Sequence, residues 1–95
     1  MDKNDKSLDS LRGDSAELHA SAWLVDRGWL VFKNVGGSGY VDMIALKDGE
    51  TKKIDVKTTT GRSGRSRTPQ QIKDGVVFLN YIPDTHECYF VDHGY

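Results

Sequence analysis

Apolar residues recur at helical spacing over the first third of the chain. Leu11, Leu18, Ala22 and Val25 fall on one stripe, and Leu24 widens it. The spacing predicts a helix from Leu8 or Asp14 to Arg27, with this stripe toward the core and Gly28 closing the last turn. The pattern then shifts to short extended runs. Trp29-Leu30-Val31-Phe32 predicts a short, largely buried strand, Val41 to Leu46 a second and Lys53 to Thr58 a third. Asn34 to Gly39 is a glycine-rich loop, and Lys47-Asp48-Gly49-Glu50 carries Asp-Gly at the centre of a hairpin turn. Alternation in the third strand puts Ile54 and Val56 on one face and Asp55 and Lys57 on the other.

Thr59 to Thr68 contains no apolar residue. Pro69 suits the first position of a short helix to about Asp74, with Thr68 as its cap and Gly75 at its end. Val76 to Ile82 and Cys88 to Val91 predict two further strands around a turn at Pro83-Asp84-Thr85. The order α-β-β-β-α-β-β implies an α/β fold with one mixed sheet, in a single domain over 1–95 whose polar residues 1–7 are flexible.

Composition narrows the picture. A chain of 95 residues with 37% hydrophobic and 28% charged residues reads as an ordinary soluble domain. So short a chain buries only about 60–65% of its unfolded surface, so self-association into a homodimer would help it. The apolar strands near the C-terminus suggest the same. No apolar run approaches the roughly 18 residues of a membrane span, and the polar start Met1-Asp2-Lys3-Asn4-Asp5-Lys6 does not read as a signal peptide. The single cysteine, Cys88, excludes an intramolecular disulfide and a multi-cysteine metal knuckle, and a reducing cytoplasmic setting is expected.

A net charge of −1 argues against holding nucleic acid through bulk positive charge. The distribution is uneven, however. From Lys47 to Arg67 there are seven basic residues against three acids, and from Thr58 through Gln71 three arginines and no acid. Local sign matters more than the sum when a polyanion approaches one face. Arg62, Arg65 and Arg67, interleaved with glycine and serine, are candidate contacts to DNA phosphates.

Asp42 lies just after the glycine loop, and Asp55-Val56-Lys57 follows thirteen residues later on the next antiparallel strand. Period-two geometry puts Asp55 and Lys57 on one face about 6–7 Å apart, and a tight hairpin brings Asp42 beside them. Two converging carboxylates suit Mg²⁺, or Mn²⁺, which prefer oxygen ligands. Such an ion polarises a phosphate and acidifies bound water, while a lysine orients that water and offsets transition-state charge. Glu17 could point into the same cluster as a third metal and catalytic carboxylate. Asp14-Ser15-Ala16-Glu17 also fits a helical capping box that would occupy its side chain locally. Ser38 is either a phosphate contact or part of a mobile connector. Gln70 and Gln71 are either helix surface or one further polar group at the site, with Gln70 a candidate DNA contact.

The Asp42…Asp55-Val56-Lys57 set resembles the signature of the PD-(D/E)-x-K nuclease superfamily, with valine where its name has proline. Arg12-Gly13-Asp14-Ser15-Ala16-Glu17 and Gly37-Ser38-Gly39 with Val41-Asp42-Met43-Ile44-Ala45 look like segments of archaeal-type Holliday junction resolvases. The similarity covers about residues 11–60. Aspartate at 55 replaces the resolvases' usual glutamate, and the stretch from Arg65 to Leu79 is more like small phage and intron-associated nucleases. The resemblance implies a restriction-endonuclease-like αβββαβ core, a divalent metal, a homodimer and cleavage of branched DNA. A small sequence-preferring nicking or homing endonuclease is the alternative within enzymes. A non-catalytic nucleic-acid-binding module on the same fold is the alternative outside them. A phage-encoded chain would act in the host cytoplasm.

Overall fold

The computed structural model describes residues 8–36, 39–59 and 66–91. Their order is α1 (Leu8–Asp26), β1 (Leu30–Lys33), β2 (Met43–Lys47), β3 (Glu50–Thr58), α2 (Pro69–Lys73), β4 (Val76–Ile82) and β5 (Glu87–Phe90). The five strands form one mixed sheet in the order β1-β2-β3-β4-β5. This is the α/β architecture expected, with helices flanking a mixed sheet.

Two local devices set the topology. Asp48 and Gly49 both adopt positive φ, 51° and 81°, the backbone demanded by a two-residue turn whose twist matches the strands it joins. That turn fixes the β2–β3 register, Lys47 opposite Glu50 and Met43 opposite Ile54. Beyond β3, β4 returns parallel to β3, and α2 lies on the connection between them. This helix is short but well capped. Thr68 accepts from the Gln71 amide, the Gln71 side chain accepts from the Thr68 amide, and Pro69 takes the first turn.

The main core lies between α1 and one sheet face, where Ala16, Ala20 and Leu24 meet Met43, Ala45, Ile54, Leu79, Tyr81 and Cys88. Trp23, Trp29 and Phe90 close its side. The helix therefore buries a different face from the one its large residues suggested. Leu11, Leu18, Ala22 and Val25 are exposed on the opposite side. Alanines at 16 and 20 let the helix axis approach the sheet closely, which leucines there would prevent. The first strand also departs from expectation. It is the sheet edge, and only Val31 turns inward, while Leu30 and Phe32 stay exposed. Among the described residues no helix is long and apolar enough to cross a membrane.

Ala20 has no exposed surface, so Ala20→Leu must push α1 off the sheet. A loss of about 1–3 kcal/mol is expected, read as a lower urea midpoint at unchanged slope. An unchanged midpoint would contradict the close helix approach.

Candidate active site

The site grows out of the β2–β3 register. One step beyond the Met43–Ile54 pair, the Asp42 amide donates to the Ile54 carbonyl at 2.8 Å, which stations Asp42 beside Asp55. The preceding loop is fastened too: Asn34 donates its amide to the Asp42 carbonyl and its side chain to the Val41 carbonyl. The Asp42 carboxylate then turns toward β3, where its Oδ2 accepts from the Val56 amide at 2.7 Å. Asp55, only 9% exposed, projects from the face opposite the Ile54 and Val56 that pack toward α1.

Two cationic or polar donors serve Asp55. Lys57, two residues on and on the same face, places Nζ 3.2 Å from Asp55 Oδ2. Its ammonium also sits 5.3 Å from the centre of the Phe78 ring. The second donor is Gln71. Its side chain is 3% exposed, and Nε2 donates to Asp55 Oδ2 at 2.7 Å and to the Tyr40 carbonyl at 3.0 Å. Since Oε1 caps α2, one amide ties the helix start, the glycine-loop exit and the carboxylate together.

Asp42 carries the electrostatic signature of this arrangement. Burial raises its pKa from 3.8 to about 6, against the lowering effect of the Val56 N–H bond; the adjoining Asp55 carboxylate and the Glu17 charge push in the same upward direction. A site that crowds negative charge in this way gains from a cation. The donor set, two converging carboxylates with lysine alongside, fits a hard divalent ion such as Mg²⁺.

Glu17 does not take the capping role that the sequence also allowed. Because α1 begins at Leu8, Glu17 lies in mid-helix and caps nothing. Its Oε1 is 3.9 Å from Lys33 Nζ, and its charge still reaches Asp42. Among the described residues no three His, Cys, Asp or Glu side chains converge into a ready metal cage. Asp42 and Asp55 are thus brought together, and the Glu17 charge acts on Asp42.

Of the other candidates, Ser38, Arg62 and Arg65 lie outside the described residues. Arg67 is half-buried and donates to the Val76 carbonyl at 3.2 Å, so it helps anchor the start of β4. Gln70 is exposed and donates to Asp74 Oδ2 at 2.9 Å. Its neighbour Gln71 is the glutamine that enters the site, and the Thr68-x-x-Gln71 capping pattern is the signal that singles it out. Tyr40 also joins the rim: its hydroxyl donates to Asp74, whose carboxyl that bond lowers while raising the tyrosine. His19 stacks on Tyr81 and on His86, a structural role. Burial raises the Cys88 thiol to about 11, which leaves it unreactive.

No protein-family profile matches the chain, and neither does any curated protein sequence. Among solved structures, the fold is similar to that of a bacterial homing endonuclease, I-Ssp6803I, with a TM-score of 0.68 at 22% identity. The match covers 92% of this chain and 66% of that protein, so the chain spans a little under two thirds of its length. At this identity the likeness establishes the fold, a nuclease-like one.

The raised pKa of Asp42 has a stability consequence. Native Asp42 binds a proton more readily than the unfolded chain does, so its penalty is full above about pH 6 and is relieved as pH falls toward 3.8. Asp42→Asn is expected to raise stability at pH 8 by on the order of 2 kcal/mol, reduced from the full linkage value for solvent screening. The gain should vanish near pH 4. Thermal melts of both proteins across pH 4–8 check this, and a pH-independent difference would contradict the assignment.

Proposed function

We propose that the chain is a divalent-metal-dependent DNA endonuclease, of the homing kind, that hydrolyses phosphodiester bonds. The observation that carries this reading is the meeting of Asp42, Asp55 and Lys57 on a sheet shared with a homing endonuclease. Asp42 and Asp55 would hold Mg²⁺ or Mn²⁺. When bound, the ion supplies charge to the scissile phosphate and acidity to a coordinated water.

The chain's own groups do the rest. Lys57 would orient the attacking water and offset the developing negative charge, and its contact with Asp55 keeps the ammonium in place. Gln71 fixes the rotamer of Asp55 from behind. Glu17 acts at longer range, favouring cation uptake by adding negative charge near Asp42. Arg62 and Arg65, on the crossover beside the site in sequence, remain candidates for phosphate contact, as does Ser38. The reading includes two identical copies acting together.

Resolution of branched DNA, implied by the resolvase-like segments, has less support than the homing-type alternative, because the structural likeness is to a homing endonuclease. One assay separates them: purified protein with Mg²⁺ offered long linear duplex and a four-way junction. Cutting of linear duplex at defined positions is expected, whereas cutting of the junction alone would overturn the homing reading. Asp55→Asn and Lys57→Ala should each lose at least a hundredfold in cleavage while remaining folded, read as an unchanged far-UV spectrum at the assay temperature. Full activity in either variant would remove these residues from the chemistry. Ca²⁺ in place of Mg²⁺ should support DNA binding without cleavage.

A further inference from the structure

The face of α1 that turns away from the core carries a regular pattern of its own. Leu8, Leu11, Ser15, Leu18, Ala22 and Val25 follow one another at spacings of three and four, the a and d positions of a heptad repeat. They lie opposite Ala16, Ala20 and Leu24, which pack on the sheet. The four large members are exposed by 60, 50, 63 and 58% in chain order. A helix apolar on two opposite faces is normally covered on both. No other element among the described residues covers this one.

We propose that a second copy of this chain covers it, in a two-fold antiparallel helix pair. Three observations select that occupant. The first is size complementarity. With the helices antiparallel about the midpoint of the seam, Leu11 faces the second copy's Ala22, Leu18 faces its Ser15, and Leu8 faces its Val25. Every small residue then meets a leucine. A parallel pair would set Ser15 on Ser15 and Ala22 on Ala22, leaving gaps between leucine layers. The second is charge. Arg12 and Asp26 are exposed on one flank of the seam at opposite ends, so antiparallel packing draws Arg12 of each copy toward the Asp26 end of the other. The third is extent. The seam is about 27 Å long, and two such helices bury on the order of 1,000 Å² in all, the low end of specific interfaces. A weak, dissociable dimer is expected, one that a single charge in the seam would abolish.

The proposal rests on the two-copy assembly named above, and not on the chemistry. It adds a spatial consequence. Asp55 and Lys57 project from the sheet face remote from α1. Two copies joined through α1 therefore open their sites on outer sides of the pair, each toward its own stretch of DNA.

Light scattering and sedimentation on the full chain provide the test, because mass is read without reference to nuclease activity. The parent should move from dimer toward 10.6 kDa on dilution through the micromolar range. Leu18→Lys, at an exposed position, should weaken association at least a hundredfold with its far-UV spectrum unchanged. Register is read by disulfide formation. Leu11→Cys and Ala22→Cys should cross-link when mixed, and neither should cross-link alone; Cys88 is buried in all of them. A monomer at every concentration would overturn both the seam and the two-copy assembly. A dimer that survives Leu18→Lys but is lost in Phe32→Lys would place the contact on the exposed β1 face, overturning the seam alone. Cross-linking of Leu11→Cys with itself would overturn the antiparallel arrangement.

Discussion

The Asp48-Gly49 turn is the constraint on which the site depends. Its two positive φ angles fix the pairing of β2 with β3, and that pairing alone decides that Asp42 stands beside Asp55. A slip of one residue would send Asp55 and Lys57 to the core face and Ile54 and Val56 to solvent. Register is therefore defended twice, by the turn and by the burial of Met43, Ala45 and Ile54 against α1. The same hydrophobic contacts that stabilise the fold bring two carboxylates together in a half-buried place, and the raised pKa of Asp42 reflects first its burial and then the neighbouring charge.

The second support comes from the crossover. α2 has only five residues and could not hold shape by helix propensity. Its capping box and Pro69 stabilise it, and the capping residue Gln71 is also the one that reaches Asp55. Helix integrity and carboxylate position are thereby coupled through one buried amide. Loss of that amide would take from the nearly buried Asp55 one of the two side-chain donors that hold it, leaving the contact with Lys57.

How much of this could be read from sequence varied with the physics involved. Asp-Gly flanked by alternating residues is a strong local signal, so the hairpin and with it Asp42, Asp55 and Lys57 were legible. The order of elements was legible for the same reason. The buried face of α1 was not, because large apolar residues suggested one side while small ones permitted close packing on the other. Nor was the exposure of β1: an apolar run does not reveal that its strand lies at a sheet edge. The choice between Gln70 and Gln71 turned on the phase of a single helical turn, which periodicity cannot supply but the capping pattern can. The cap alternative for Glu17 fell because α1 begins well before Asp14.

The central claim is that Asp42 and Asp55 form a crowded acidic pair able to take a divalent cation beside Lys57. Carboxyl-carbon NMR titration of the aspartates, with and without Mg²⁺, addresses it most directly. Without metal the Asp42 carboxyl should titrate near the value of about 6 set first by burial and then by the neighbouring carboxylate. Addition of Mg²⁺ should drive that value down by a unit or more, as a bound cation favours the ionised form. An Asp42 carboxyl that titrates near 4 and ignores Mg²⁺ would contradict the account.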